Sequence, residues 1–446
     1  MRTRKALMCM LAAVSVSVVY ALERPDTLPS ASTADAQHIE DLKNSQKVVF
    51  FGDADVSAST DSIKALMDKF YVDQYKHFQD PEAPYFLMMS RDATLAMGIG
   101  GAVRMRGWLD FDGSVPYNGF IPYTISVPEN PMMRRRLDAT PSGTALFFRI
   151  IGINKTFGNF SAFIQGSFDG GTGREFKIKK SYVTINDWTI GYTTSTFSDI
   201  EANPPVIDAQ GPNGQVNNTS VLIQWRKPIS KKFTLAASLE FPESHILSDG
   251  MYTAELKDWC PDIVAFGQYQ WREGSGHVRL SALLRNIPYR NLVEKKNTSK
   301  IGFGTQISCI VPMDYNWTLF AEGVGGKGCE TYLNDFMVGT LDLMPTPDKD
   351  GDMYAPWCYG LTCGIKYNFT SGLFASISGS EARLLPQKGN GAPDLYRYGL
   401  YGVANIIWNM SPRLQVGAEY LMGMRKNADG ASGHAKRVNM LFSFSF

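Results

Sequence analysis

The sequence predicts an all-β protein: a 16-stranded antiparallel transmembrane β-barrel preceded by a short, partly helical periplasmic segment. Three observations carry that prediction. From about Leu95 to Phe446 apolar residues recur with a period of two, as on a strand with one apolar and one polar face. The connections between these runs alternate long and short, which an outer-membrane barrel requires and a soluble sandwich does not. The polar face of many runs is charged, so the interior is wet rather than packed with side chains.

The N-terminus opens "MRTRKALMCMLAAVSVSVVYALE", with a basic stretch through Lys5, an apolar run from Ala6, and small residues at Val19 and Ala21. Residues 1–21 are therefore read as a signal peptide cut after Ala21. Beyond it no apolar stretch approaches the roughly 18 to 20 residues of a spanning helix, so any crossing of a membrane is by strands. Residues 22–94 are expected to form a periplasmic tether. Within it, "TDSIKALMDKFYVDQYKHF" spaces Ile63, Leu66, Met67, Phe70 and Tyr71 helically behind the cap-like Thr60 or Asp61, predicting an amphipathic helix over about 60–78. Residues 95–446 are the barrel.

Sixteen runs fit strands, spanning approximately 95–111, 145–154, 158–169, 175–185, 187–195, 219–229, 231–241, 262–272, 275–287, 300–311, 315–325, 356–370, 371–383, 395–409, 412–424 and 437–446. Each is close to the roughly 9 to 11 residues a tilted strand needs to cross a bilayer. Long connections are expected at 112–144, 196–218, 242–261, 288–299, 326–355 and 425–436, and tight ones at 155–157, "PISK", "EG" and "NMSPR". The stretch 170–174 is short where a long connection is due. In "FKIKKSYVTI" Phe176, Ile178 and Tyr182 share one face, opposite Lys177, Lys179 and Ser181. Trp188, Trp225, Trp317, Tyr367, Trp408 and Tyr420 lie toward strand ends, as in an interfacial girdle. The terminal "RVNMLFSFSF" turns Val438, Met440, Phe442, Phe444 and Phe446 toward lipid as the closing strand.

Composition excludes several functions. Lys and Arg total 44 against 43 Asp and Glu, which leaves no basic footprint for nucleic acid. After the signal Cys260, Cys309, Cys329, Cys358 and Cys363 remain, an odd set without metal-site spacing, so no disulfide framework and no cofactor is predicted. Gly323, Gly325 and Gly328 end a strand rather than open a helix, which argues against a dinucleotide loop. Asp348, Asp350 and Asp352 imitate a calcium loop without its glutamate, and a solvated loop is the plainer reading. No GxSxG or HExxH is present, so no enzyme is predicted.

The candidate site is a constriction. Inner-face assignment gathers Arg104, Arg106, Arg149, Lys177 and Lys179 into one basic patch. The loop "SDIEANPPVIDAQGPNG" brings Asp199, Glu201 and Asp208, with Pro204 and Pro205 stiffening it for an inward fold. An acidic loop facing a basic wall gives a transverse field that orients dipolar and anionic solutes. The plainer reading has solvated loop acids and locally paired arginines.

The segment "SYVTINDWTIGYTTSTFSDIEANPPVIDAQGPNG" resembles the strand pair and loop of the DcaP-like trimeric porins, through Thr194, Phe197, Asp199, Pro204, Pro205, Asp208 and the turn from Gly211 to Gly214. The order of helix, sixteen strands and terminal Phe is similar across most of the mature chain. Tyr192 stands where that family commonly has Gln, and no long heptad run precedes the barrel. The resemblance implies a homotrimer in the outer membrane of a Gram-negative-type bacterium. With the lumen charges it implies passive diffusion of small hydrophilic, anionic solutes through a water-filled channel in contact with outer-membrane lipid. A substrate-specific dicarboxylate or sugar channel and a non-conducting surface barrel or adhesin are the alternatives.

Overall fold

The computed structural model describes residues 44, 46–52, 63, 66, 67, 78, 84–113, 115, 116, 118–154, 158–169, 174–241, 243–389 and 392–446. Its main sheet has 20 strands, of which Lys47–Phe51, Phe86–Ser90, Arg136–Thr140 and Thr253–Glu255 are short additions. The other sixteen form the barrel: β1 (Leu95–Asp112), β2 (Ala145–Asn154), β3 (Gly158–Asp169), β4 (Glu175–Ile185), β5 (Trp188–Thr194), β6 (Thr219–Pro228), β7 (Phe233–Phe241), β8 (Asp262–Trp271), β9 (Gly276–Asn291), β10 (Lys296–Pro312), β11 (Trp317–Lys327), β12 (Trp357–Asn368), β13 (Leu373–Leu385), β14 (Tyr396–Ser411), β15 (Leu414–Asn427) and β16 (Ser432–Ser445). Each pairs antiparallel with the next, and β16 returns to β1 with Val438 opposite Leu109 and Ser445 opposite Ala102, which closes the cylinder. Closure satisfies every strand edge, the condition for a sheet to meet lipid.

The outward positions carry exposed apolar side chains all round, among them Ile99, Ile164, Ile190, Leu280, Ile377 and Met440. Indole and phenol rings cluster near the short-turn end: Trp188 is in register with Trp225, and the Trp317 and Tyr367 ring centroids are 4.5 Å apart. The expected lipid face of β16 is present, with Met440, Phe442, Phe444 and Phe446 all exposed.

Three details differ from the sequence reading. β9 and β10 run on to Asn291 and Lys296, so 288–299 is mostly strand with a short turn, and 425–436 likewise tightens to a turn between Asn427 and Ser432. The inner face of β4 is offset by an irregularity where Gln165 opposes Lys180 but Gly166 opposes Ile178. One extra residue flips the alternation: Tyr182 points inward against Phe163, ring centroids 5.4 Å apart, while Phe176 and Ile178 stay outside. Finally, residues 22–94 are not all tether. Phe86–Ser90 pairs antiparallel with the start of β1 (Met88 opposite Met97), and Lys47–Phe51 adds to it in parallel.

Ile63, Leu66 and Met67 are helical, and Leu66 is buried with Leu87, Met89, Ala96 and Ile151 beside the short-turn end of β1 and β2. Phe78, at the end of the predicted helix, is in a turn and packs edge-on against Phe374 with ring centroids 6.0 Å apart; the rest of that helix, and the signal peptide, lie outside the described residues. No helix among the described residues is long and apolar enough to cross a membrane.

Candidate functional site: an inward loop pinned across the lumen

Residues 195–218, between β5 and β6, leave the wall and fold inside. The neck is closed by the Ser195 N–H on the Asn218 carbonyl at 2.9 Å. A loop inside the barrel cannot leave its amides unpaired, and the wall supplies acceptors. Glu240 on β7 accepts the Thr196 N–H at 2.8 Å, Glu322 on β11 accepts the Val216 N–H, and Glu419 on β15 accepts those of Ile207 and Asp208 at 2.6 and 2.8 Å. The proline pair has no N–H to satisfy, and the Pro205 carbonyl takes Ser376 Oγ at 2.7 Å and Asn405 Nδ2 at 2.8 Å. The Gly214 N–H reaches Ser380 Oγ at 2.7 Å. Here loop and wall meet backbone to backbone: a Cβ on Gly360 would stand 2.1 Å from the Gly214 carbonyl oxygen.

Two other connections fold in behind this loop. From 328–356, Asn334 donates through Nδ2 to the Gln210 and Pro212 carbonyls, each at 2.9 Å, and Asp335 accepts the Tyr123 N–H at 2.9 Å and Asn213 Nδ2 at 3.1 Å. Tyr396 from β14 also donates to Asp335. From 113–144, the Phe120 N–H reaches Asp208 at 2.8 Å. Apolar side chains follow these backbones inward. Phe197, Leu333, Phe336 and Leu341 bury against Val264, Leu283 and Leu384 of the wall, and Phe120 and Val206 against Tyr401 and Leu421. The interior is therefore polar on its wall but layered with apolar contacts where the loops lie, unlike the uniformly wet lumen that strand faces alone suggest.

The predicted acids are placed differently from one another. Asp199 is fully buried, with His277 Nε2 at 2.8 Å, Ser308 Oγ at 2.6 Å and Arg279 Nη2 at 3.4 Å. Burial raises its pKa, but Arg279, His277 and Ser308 outweigh that and hold the carboxyl below the usual range. Asp208 is buried too, and there burial prevails, raising its pKa. Glu201 is partly exposed, 3.9 Å from His277 Nδ1. Asp199 and Asp208 thus act as struts of the loop, and Glu201 alone of the three keeps substantial contact with water.

The predicted cations also divide. Arg104 and Arg106 lie together on the inner face of β1 at 6 and 7 % exposure, whereas Arg149, at 1 %, is in register with Gly98, about 20 Å along β1 from Arg104. Arg106 donates to the Ser142 carbonyl at 3.0 Å and lies within electrostatic reach of Asp208, Glu419 and Asp169. Lys177 and Lys179 stand apart, solvated at the long-loop end and paired with Glu175 at 3.0 Å and Asp169 at 2.7 Å. The five cations expected in one patch thus fall into three groups: Arg104 with Arg106, Arg149 toward the short-turn end, and the two lysines at the rim.

On β7 to β15 the inner positions near the loops are largely covered, whereas on β4 to β6 Lys180, Tyr182, Thr184, Thr189, Thr193, Gln224 and Arg226 stay half-exposed. This polar strip, opposite the pinned loop, is the inner wall that water reaches. Sequence reasoning omitted Lys180, whose inward placement depends on the β4 irregularity. It also omitted two buried cations. Arg437 forks onto Asp110 at 2.7 and 3.0 Å beneath Trp108, and Arg285 bridges Asp262 at 2.9 Å and Asp342 at 3.1 Å. Both follow the strand alternation, Arg437 in step with Asn439 and Ser443 and Arg285 in step with Arg279, so the sequence carries the signal. Asp335 and Asp342 lie on an aperiodic loop and gave none. Of the aspartates at 348–352, Asp352 takes Lys300 at 2.9 Å and the Tyr289 hydroxyl at 3.0 Å.

No protein-family model and no curated protein matches the chain. Solved structures do. The outer membrane channel DcaP of Acinetobacter baumannii superposes with a TM-score of 0.67 at 19% identity, covering 79% of this chain and 98% of that one. An anion-selective porin from Comamonas acidovorans gives 0.52 at 11% identity, covering 79% and 100%. Salmonella typhi OmpF, in a complex with daunomycin, gives 0.51 at 10% identity, covering 79% and 98%. The chain has the fold of the outer-membrane porins.

Proposed function

We propose that this protein is an outer-membrane porin through which small hydrophilic, preferentially anionic solutes diffuse passively. The observation that carries the reading is the half-exposed polar strip on β4 to β6, with Lys180 and Arg226 on it, facing a loop fixed to the opposite wall. Glu240, Glu322 and Glu419 accept loop amides, and Asp110 and Asp199 pair with arginine, so the acids of the inner wall are engaged internally. The half-exposed Lys180 and Arg226 would give the path a basic side, backed by Arg104 and Arg106 beneath the surface, with Glu201 as the partly exposed acid. The likeness to an anion-selective porin supports the sign of that selectivity.

The extent of loop infill makes the diffusion path narrow. Residues 1–21 would be the signal and 22–94 the segment at the periplasmic mouth. The protein would be a homotrimer. β5, of only 7 residues, makes a low wall beside the neck of the inward loop, suited to burial against a neighbour. Planar-bilayer recording in a salt gradient tests the whole reading: stepwise conductance with an anion-signed reversal potential is expected. Absence of steps would leave a closed surface barrel. Crosslinking in native membranes should give trimers, and monomer alone would refute the assembly.

A further inference from the structure

We propose that Cys329 and Cys358 are joined by a disulfide that staples the loop 328–356 into a ring. Their sulfurs lie 3.5 Å apart, both side chains are buried, and the residues are 29 positions apart in sequence. Cys329 follows β11 and Cys358 is the second residue of β12, so the bond closes the loop at its base. The space is made for sulfur. Cβ atoms on Gly304 and Gly326 would fall 3.4 and 2.8 Å from Cys329 Sγ, so side chains at those two positions would crowd it. Bringing the pair to bonding distance needs a shift of about 1.5 Å.

The partner choice is restricted. Cys309 and Cys363 both face Ala321, but from opposite sides, with β11 between them. Two inter-strand spacings are about 9.5 Å, beyond the roughly 7 Å that a disulfide spans. Cys260 lies in the separate loop 242–261. The stapled loop carries Asn334 and Asp335, which hold the inward loop at Gln210, Pro212 and Asn213, so the bond would fix the clamp that sets the constriction.

The inference rests on the outer-membrane reading, because that route passes through an oxidising compartment. The oxidant is a protein disulfide of that compartment. Each cysteine gives up its S–H proton, one S–S bond forms, and the oxidant's S–S bond breaks, taking two electrons and two protons to become a dithiol.

The test uses full-length protein isolated from membranes, denatured and alkylated without reductant, then mapped by peptide mass. The expected result is a linked peptide pair from Cys329 and Cys358, two hydrogen atoms lighter than the separate thiol peptides, with Cys260, Cys309 and Cys363 alkylated. Prior reduction should alkylate all five, and Cys329→Ser should expose Cys358 to alkylation without reductant. Alkylation of both Cys329 and Cys358 in the unreduced wild type would overturn the proposal. That outcome would not touch the porin reading, which stands or falls on conductance.

Discussion

Glu419 accepts two consecutive backbone N–H groups, those of Ile207 and Asp208, on a carboxylate that β15 aims across the lumen. A wall side chain and a loop backbone 211 residues away are thereby tied together. Glu240 and Glu322 each accept one further loop N–H, so the loop is held by acceptors that it could not supply itself.

Glu419→Ala should therefore free the tip of the loop. The change leaves two buried N–H groups unpaired, at about 1–3 kcal/mol each, so the loss should outweigh a typical surface change. The expected outcome is noisier and larger single-channel conductance with the barrel intact on gels, and unchanged current noise would refute the anchor.

Gly360→Ala acts at the other contact. Its methyl would meet the Gly214 carbonyl at 2.1 Å, a clash with backbone that no rotamer relieves. Conductance should change in the same sense as for Glu419→Ala, while Gly379→Ala, whose added carbon would meet nothing nearer than 3.9 Å, should leave it alone.

Arg437 and Asp110 form a fully buried pair. Breaking such a pair from one side costs roughly 3–5 kcal/mol, whereas replacing both partners with apolar groups is often neutral. Arg437→Met should lower the urea midpoint of unfolding markedly, and Arg437→Met with Asp110→Leu should recover most of it. Equal losses in the single and double variants would show that packing, not the charge left behind, decides.

Burial pushes the Asp335 carboxyl up to about 6, above the usual aspartate value. Folding therefore favours its protonated form. That contribution is fully present below about pH 4, is lost as pH rises through about 6, and is on the order of 3 kcal/mol. Stability of the clamp around Tyr123, Asn213 and Tyr396 should fall between pH 5 and pH 7.5 on this account. Asp335→Asn should flatten that dependence in urea titrations.

Selectivity should follow the arginines and the exposed strip. Arg104→Ser, Arg106→Ser and Arg149→Ser together should move the reversal potential toward cations, and Lys180→Ser with Arg226→Ser should add to it. With a Debye length of about 8 Å at physiological salt, the preference should fade as ionic strength rises. A wild type already selective for cations would refute the field described above.

The barrel was legible because its signal is local and repeated. β2, β3 and β4 fall on the spans read from alternation alone, since lipid outside and water inside impose a period of two along the strands. The fate of the charges was less legible. Alternation puts Glu322 and Glu419 inside, but whether each meets a solute or a loop amide depends on where 195–218 lies, which is a tertiary matter. Lys177 and Lys179 show the same limit: correct residue type and strand, but neutralised at the rim by Glu175 and Asp169. The β4 irregularity leaves no mark in composition, so Tyr182 was assigned to the wrong face.

The edge of β1 is shared in turn by the two termini. Gly101 exchanges both backbone hydrogen bonds with Phe446, and just beyond it Met97 pairs with Met88 of Phe86–Ser90. The closing seam is thus an overlapping splice rather than a butt joint. Tension applied through the N-terminal segment passes into the hydrogen bonds of the cylinder itself, so any mechanical load from the periplasmic side is borne by the barrel wall.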